Sequence, residues 1–229
     1  MEKILDWLKR FWPQRMVVAK RDYWISPLGA AIGLIGTDLI SLYFLGTENP
    51  WFIAPMGASA VLLFAVPASP LAQPWPIVGG NLIAAIVGVT FAKFLGTSAW
   101  VAGLAGAIAI AGMMRFRCLH PPGGAVALTA VLGGSGVIQL GYMFVILPVF
   151  LNSILLMLLA LIFNNLAKRS YPHHANIASG PSNVQFVSLS RQDIHEALRR
   201  NPDLLDVSEG DIEAILNEAE SIAKVNQAR

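Results

Sequence analysis

Residues 26–46 read SPLGAAIGLIGTDLISLYFLG, an apolar run whose single formal charge is Asp38. A helix of this length spans a hydrocarbon core about 30 Å thick. The apolar part of a secretory signal is shorter, about 7–15 residues, so the preceding Lys3, Lys9, Arg10, Arg15, Lys20 and Arg21 are not read as the head of a signal peptide. Five more apolar stretches follow at 50–68, 75–95, 98–114, 119–136 and 141–164, joined by short loops. Between Ile25 and Ala167 the only formal charges are Asp38, Glu48, Lys93, Arg115 and Arg117. The whole chain is 13% charged and 55% hydrophobic, against about 25% charge in an ordinary soluble domain. These numbers exclude a soluble globule. Backbone polar groups cannot stay unpaired in lipid, and the stretches suit helices rather than barrel strands. The expected fold is therefore all-α: a polytopic membrane bundle of about six transmembrane helices.

The flanks set the domain plan. In residues 1–22, Ile4, Leu5, Leu8, Phe11 and Trp12 recur at helical spacing opposite Lys3, Asp6, Lys9 and Arg10, which predicts a basic amphipathic helix on the membrane surface. Residues 23–170 form the transmembrane domain, and 171–189 a polar linker. Residues 190–229 form a small soluble helical tail, with helix starts near Ser190 and Ser208. Leu198, Leu204, Leu205, Ile212, Ile215 and Leu216 give that tail a core too small to stand alone. It needs either the cytoplasmic loops or a neighbouring subunit of a homo-oligomer. The basic clusters at the N-terminus, at Arg115 and Arg117 and at Lys168 and Arg169 fall on one side after six crossings, which places both termini in the cytoplasm. Lys93 alone dissents, and its long side chain can reach the interface from a helix end. The net charge of +2 gives no reason to expect a nucleic-acid partner, and one cysteine, Cys118, excludes an internal disulfide.

The halves resemble each other. Ala54-Pro55-Met56-Gly57-Ala58-Ser59-Ala60-Val61-Leu62 aligns with His120-Pro121-Pro122-Gly123-Gly124-Ala125-Val126-Ala127-Leu128 at an offset of 121 − 55 = 66, shared by Gln73 and Gln139. Three crossings per half is an odd number, so the halves form a 3+3 inverted repeat with broken helices. Proline disfavours helix at the residue before it and fits the first turn of a helix starting there. A helix that begins inside a membrane protein presents the positive end of its dipole to a small anion. The candidate substrate-binding residues are thus Pro55, Met56, Gly57, Ala58, Ser59, His120, Pro121, Pro122, Gly123, Gly124 and Ala125. The plainer reading is two kinked helices with glycines for close packing.

Asp38 lies mid-span, where an ionisable group costs about 2.5–3.5 kcal/mol, so it is a candidate for proton coupling or a structural partner of Arg115, Lys93 or a buried amide. His120 is either a proton carrier or a cap on the broken helix. Gln73, Asn81 and Gln139, with Asn152 and Asn164, either line a polar path or join helices by hydrogen bonds. Cys118, His120, His173 and His174 do not have the spacing of a zinc site. No P-loop, dinucleotide fingerprint, nucleophile elbow or zincin motif is present. No metal, cofactor or enzymatic activity is expected.

His120-Pro121-Pro122-Gly123-Gly124-Ala125, with Pro55-Met56-Gly57-Ala58-Ser59-Ala60, Gln73-Pro74 and Gly79-Gly80-Asn81, resembles the HPP family of integral membrane proteins over about 25–167. Members in plant plastids and cyanobacteria are implicated in nitrite transport. The resemblance therefore implies a permease for a small inorganic anion, nitrite first, in the inner membrane of a bacterium, of cyanobacterial type. The CBS domains of some bacterial relatives have no counterpart in this tail. Two other classes remain open: a membrane sensor or assembly protein acting through its tail, and an intramembrane enzyme using His120 and Asp38.

Overall fold

The computed structural model describes residues 20–45 and 54–173, together with Leu8, Phe11 and Leu216. The expected surface helix, the linker beyond His173 and the helical tail lie outside the described residues. Lys20–Ala175 is one compact unit; Met1–Ala19 and Asn176–Arg229 belong to a second.

Among the described residues every regular element is a helix. Helix α1 covers Asp22–Leu45, with Asp22 in the first turn complementing the helix dipole. Helix α2 covers Pro55–Ala65 and α3 covers Pro74–Leu95, each with proline in its first turn, where the missing N–H has no partner to lose. Between them Pro70–Ala72 makes a single 3₁₀ turn. Helix α4 is Ala99–Arg115, α5 is Pro121–Leu132 and α6 is Gly134–Leu140. A π-helical stretch, Val145–Leu151, accommodates Pro148 and runs directly into α7, Asn152–Leu166.

Three helical segments, Asp22–Tyr43, Pro74–Leu95 and Val145–Leu166, are long and apolar enough to cross a membrane, each 22 residues. That length corresponds to about 33 Å. Helices α5 and α6 make a fourth candidate only as a pair, bent by 95° at the break. Helix α2 has 11 residues and α4 has 17, about 16 and 25 Å, against a core of about 30 Å. The sequence leads to an expectation of six stretches of crossing length, and three to four candidates are found among the described residues. The shortfall has local causes. Pro67 and Pro70 close α2, Gly133 and Gly134 turn the chain after α5, and Gly134 has a φ of 81° that a Cβ would oppose.

Helix α3 is the centre of the unit, packed against α4, α5, the π-helical stretch and α7. Its glycines permit this. A Cβ on Gly88 would come within 2.7 Å of the Ala127 carbonyl oxygen, and one on Gly80 within 2.6 Å of that of Cys118. Met56, Leu63, Phe64, Ile77, Val126, Phe144, Val149 and Leu156 fill the core, and Phe64 meets Phe163 edge to face at 5.7 Å. Large apolar side chains also cover the outside, among them Trp24, Tyr43, Phe94, Leu128, Ile146 and Leu166. A soluble protein would not present so much apolar surface; a lipid-facing one must.

Side-chain contacts gather six helix ends at one end of the unit. Arg169, just past α7, pairs with Asp22 at the start of α1 and donates to the Phe64 carbonyl at the end of α2. Trp75 at the start of α3 donates from Nε1 to the Phe116 carbonyl after α4. His120, at the start of α5, bonds to Leu71 between α2 and α3. Lys20, Arg21, Arg115, Arg117, Lys168 and Arg169 therefore all belong to this basic end.

Candidate functional site

His120 is the N-cap residue of α5, extended at φ −136° and ψ 105°, which turns its ring away from the helix it precedes. The ring is fully buried and touches two partners. Nδ1 lies 3.0 Å from the Leu71 carbonyl oxygen, and Nε2 lies 2.9 Å from the Ser59 hydroxyl in α2. A carbonyl only accepts, so Nδ1 carries the proton and Nε2 is left to accept from Ser59. The two proline-headed motifs are thus joined by a buried polar chain: Ser59 hydroxyl to imidazole to Leu71 carbonyl. Ser59 stands four residues after Pro55, about 6 Å along the helix, so the beginning of α5 lies beside the early turns of α2.

The first turns of both helices are tight. Gly57 donates its N–H to the Ala54 carbonyl at 3.0 Å, and Gly123 to the His120 carbonyl at 2.8 Å. Pro121 and Pro122 carry no N–H at all. The polar groups at the junction are accordingly the hydroxyl and the imidazole, within the field of two helix ends. Met56, Ser59, Pro122 and Gly123 are buried with Pro55; Gly57 and Gly124 are half-buried with open space where a Cβ would point; Ala58, Pro121 and Ala125 are exposed.

The turn that supplies Leu71 is itself held firmly. Ser69 Oγ accepts from the Leu71 N–H at 3.2 Å, and Gln73 Nε2 donates to the Pro67 and Ser69 carbonyls, both at 2.9 Å. From the segment after α7, the Tyr171 hydroxyl donates to the Ala72 carbonyl at 2.9 Å and the His173 N–H donates to Gln73 Oε1 at 2.9 Å. Burial pushes the Tyr171 phenol far above its ordinary range, so it stays protonated and remains a donor. Burial likewise pushes the Cys118 thiol up, which keeps it in the unreactive form.

A second polar layer joins α1, α3 and α7. Asn81 Nδ2 donates to Ser153 Oγ at 3.0 Å, and Ser41 Oγ donates to Asn152 Oδ1 at 2.9 Å, all four residues being buried. Asp38 is half-buried on α1 and Gln139 exposed on α6; neither belongs to the Ser59–His120–Leu71 chain. Sequence reasoning missed the end of α2. Its last carbonyls are capped from α7 and beyond, Leu63 by Asn164 Nδ2 at 3.0 Å and Phe64 by Arg169 Nη1 at 2.7 Å. Arg169, grouped with Lys168 as a basic cluster that sets the orientation, is also buried against Asp22 at 2.6 Å. Only its position opposite Asp22, at the outer end of another span, hinted at a pair.

An all-helical unit with an apolar exterior, long apolar helices and buried polar chains defines an integral membrane protein. The family described as "HPP, transmembrane region" matches residues 15–172, well over half of the chain. The chain belongs to the HPP family. It is 39% identical over 130 residues to one transmembrane protein of Dictyostelium discoideum and 40% identical over 133 residues to another. These alignments cover 55% and 56% of this chain but 42% and 46% of the relatives, so the chain spans less than half the length of the curated relatives it matches. No solved structure matches.

Proposed function

We propose that the chain is a membrane permease for a small inorganic anion, nitrite foremost, which dwells at the junction of Ser59 and His120. The observation that carries this reading is the buried Ser59–imidazole–Leu71 chain at the meeting of two proline-headed helices. Polar groups inside a membrane bundle are costly and mark pathways by default. Ser59 and His120 lie in the first turns of two helices, whose positive dipole ends suit an anion without a buried full charge, and an arriving anion would take the Ser59 hydroxyl proton in exchange for the imidazole. The resemblance to nitrite-transporting HPP proteins supplies the substrate.

The proposal includes six crossings in two inverted halves with both termini cytoplasmic. Helix α2 finishes and α5 begins at the same end of the unit, which supports opposite runs for the two motifs. The basic end supports a cytoplasmic placement of that face. The test is nitrite entry into liposomes containing the full chain at alkaline pH, where permeation by neutral nitrous acid is small. Faster entry than into empty liposomes is expected, slowed by Ser59→Ala about two- to tenfold, the scale of one hydrogen bond of about 0.5–1.5 kcal/mol. Equal rates with and without protein would reject the nitrite reading and favour a sensor acting through the tail.

A further inference from the structure

We propose that the basic end of the bundle is a binding rim for anionic phospholipid headgroups, with Arg117 and Lys168 as its principal contacts. Helices α4 and α7 end in the same way. The Arg117 N–H bonds to the Met114 carbonyl at 3.2 Å and the Cys118 N–H to that of Met113 at 2.9 Å; the Lys168 N–H bonds to Asn165 at 3.1 Å and the Arg169 N–H to Asn164 at 2.8 Å. This pair of bonds places Arg117 at φ 55° and Lys168 at φ 58°, the left-handed position that glycine normally occupies after a helix. Among the described residues these are the non-glycine residues with positive φ, and both are cations. A Cβ is strained there, so the two most awkward backbone positions of the unit carry long basic side chains where a glycine would fold more easily. Folding does not explain that choice; an external anion does.

The surroundings say which anion. Arg117 and Lys168 are exposed, as are Lys20, Arg21 and Arg115 at the same end. The acidic side chains among the described residues are Asp22 and Asp38. Asp22 pairs with the buried Arg169 at 2.6 Å and with Arg21 Nε at 3.4 Å, and Asp38 lies sixteen residues further along α1, about 24 Å away. Among the described residues, no carboxylate is therefore left to balance Lys20, Arg115, Arg117 and Lys168 at this rim. Each principal cation follows an exposed apolar side chain on the last turn of its helix, Met114 and Phe116 beside Arg117, and Leu166 beside Lys168. Tyr23, Trp24 and Trp75 are exposed at the same end, where amphipathic rings mark headgroup depth. Cation above, apolar surface below and aromatic rings between match a phospholipid better than a soluble anion. A guanidinium also fits a phosphodiester with two parallel hydrogen bonds.

The chain, purified in neutral detergent, is titrated with phosphatidylglycerol or phosphatidylcholine while its thermal unfolding midpoint is followed. Phosphatidylglycerol is expected to raise the midpoint more than phosphatidylcholine, by an increment that shrinks with added salt. The double variant Arg117→Gly/Lys168→Gly should unfold at or above the wild-type midpoint in phosphatidylcholine, because the backbone strain is relieved, yet lose the phosphatidylglycerol increment. A second double variant, Arg117→Gln/Lys168→Gln, keeps the side-chain length and should lose it too. Native mass spectrometry should find phosphatidylglycerol retained on the wild type and released from both variants. Equal stabilisation by the two lipids, or an increment that survives both double variants, would overturn the proposal whether or not the protein carries nitrite.

Discussion

His120 and Arg169 show how much a single buried group can organise. The imidazole is oriented by a carbonyl on one side and a hydroxyl on the other, so its tautomer is set before any ligand arrives. Arg169 ties three segments at once: its guanidinium bonds to the Asp22 carboxylate, the Phe64 carbonyl and the Ser26 hydroxyl. Replacing one member of such a buried pair strands the other. Arg169→Met should therefore destabilise the unit by about 3–5 kcal/mol, and Asp22→Asn added to it should recover part of the loss. Unfolding in detergent checks this; an Arg169→Met protein as stable as wild type would remove the pair from the fold's essentials. At this scale the sequence was partly legible. His120 and Ser59 stood out through their motifs, whereas the Leu71 carbonyl did not, because a backbone acceptor carries no signature in residue type. The burial of Arg169 was not legible because adjacent Lys168 and Arg169 look alike in composition, although one residue of chain separates an exposed cation from a buried one.

The same contrast governs the elements. All six apolar stretches correspond to helical segments whose ends shift by a few residues, since hydropathy and proline positions are written in the sequence. Their lengths were less visible, because hydropathy measures composition and is blind to a 95° bend between α5 and α6. Glycines divide into two kinds that sequence alone does not separate. Gly80 and Gly88 face backbone oxygen at 2.6 and 2.7 Å, whereas Gly57 and Gly124 face open space. Gly88→Val must push α3 away from α5, and a protein of reduced yield and lowered unfolding midpoint is expected. Gly57→Val and Gly124→Val should fold normally, so any loss of nitrite flux in them reports an obstructed path rather than a damaged bundle. If both valine variants transport at the wild-type rate, the open space beside these glycines is not on the path. Tyr171→Phe offers a third probe, since it deletes the hydroxyl that holds Ala72 while keeping the ring. A loosened Leu71 turn should let the His120 proton redistribute between its nitrogens, which nitrogen-15 spectroscopy of histidine reads directly. Unchanged histidine signals would show that Gln73 alone suffices to hold the turn.

For the whole unit, the decisive question is which end faces the cytoplasm, and the charges argue it from both sides. The basic end carries the starts of α1, α3 and α5 and the finishes of α2, α4 and α7, with every described cation except Lys93. That exception sits at the far end of α3, its ammonium 5.6 Å from the centre of the Tyr142 ring, whose hydroxyl in turn meets Thr90 at 3.1 Å. A cation–π contact of this kind holds a lone lysine at an interface without altering the balance of the loops. Thr97, between α3 and α4, and Ser170, after α7, are both exposed and lie at opposite ends, because α3 runs the length of the unit from the basic end. Single cysteines at these two positions, in a Cys118→Ser background, should therefore react differently with a membrane-impermeant maleimide. In intact cells the Thr97→Cys protein is expected to label and the Ser170→Cys protein to label only after permeabilisation. Equal labelling of both would mean that the two ends are not separated by a sealed bilayer, and the reverse pattern would invert the orientation. In that reversed case the phosphatidylglycerol rim would face the outer leaflet, while the Ser59–His120 junction would keep its geometry and lose only its assigned side of entry.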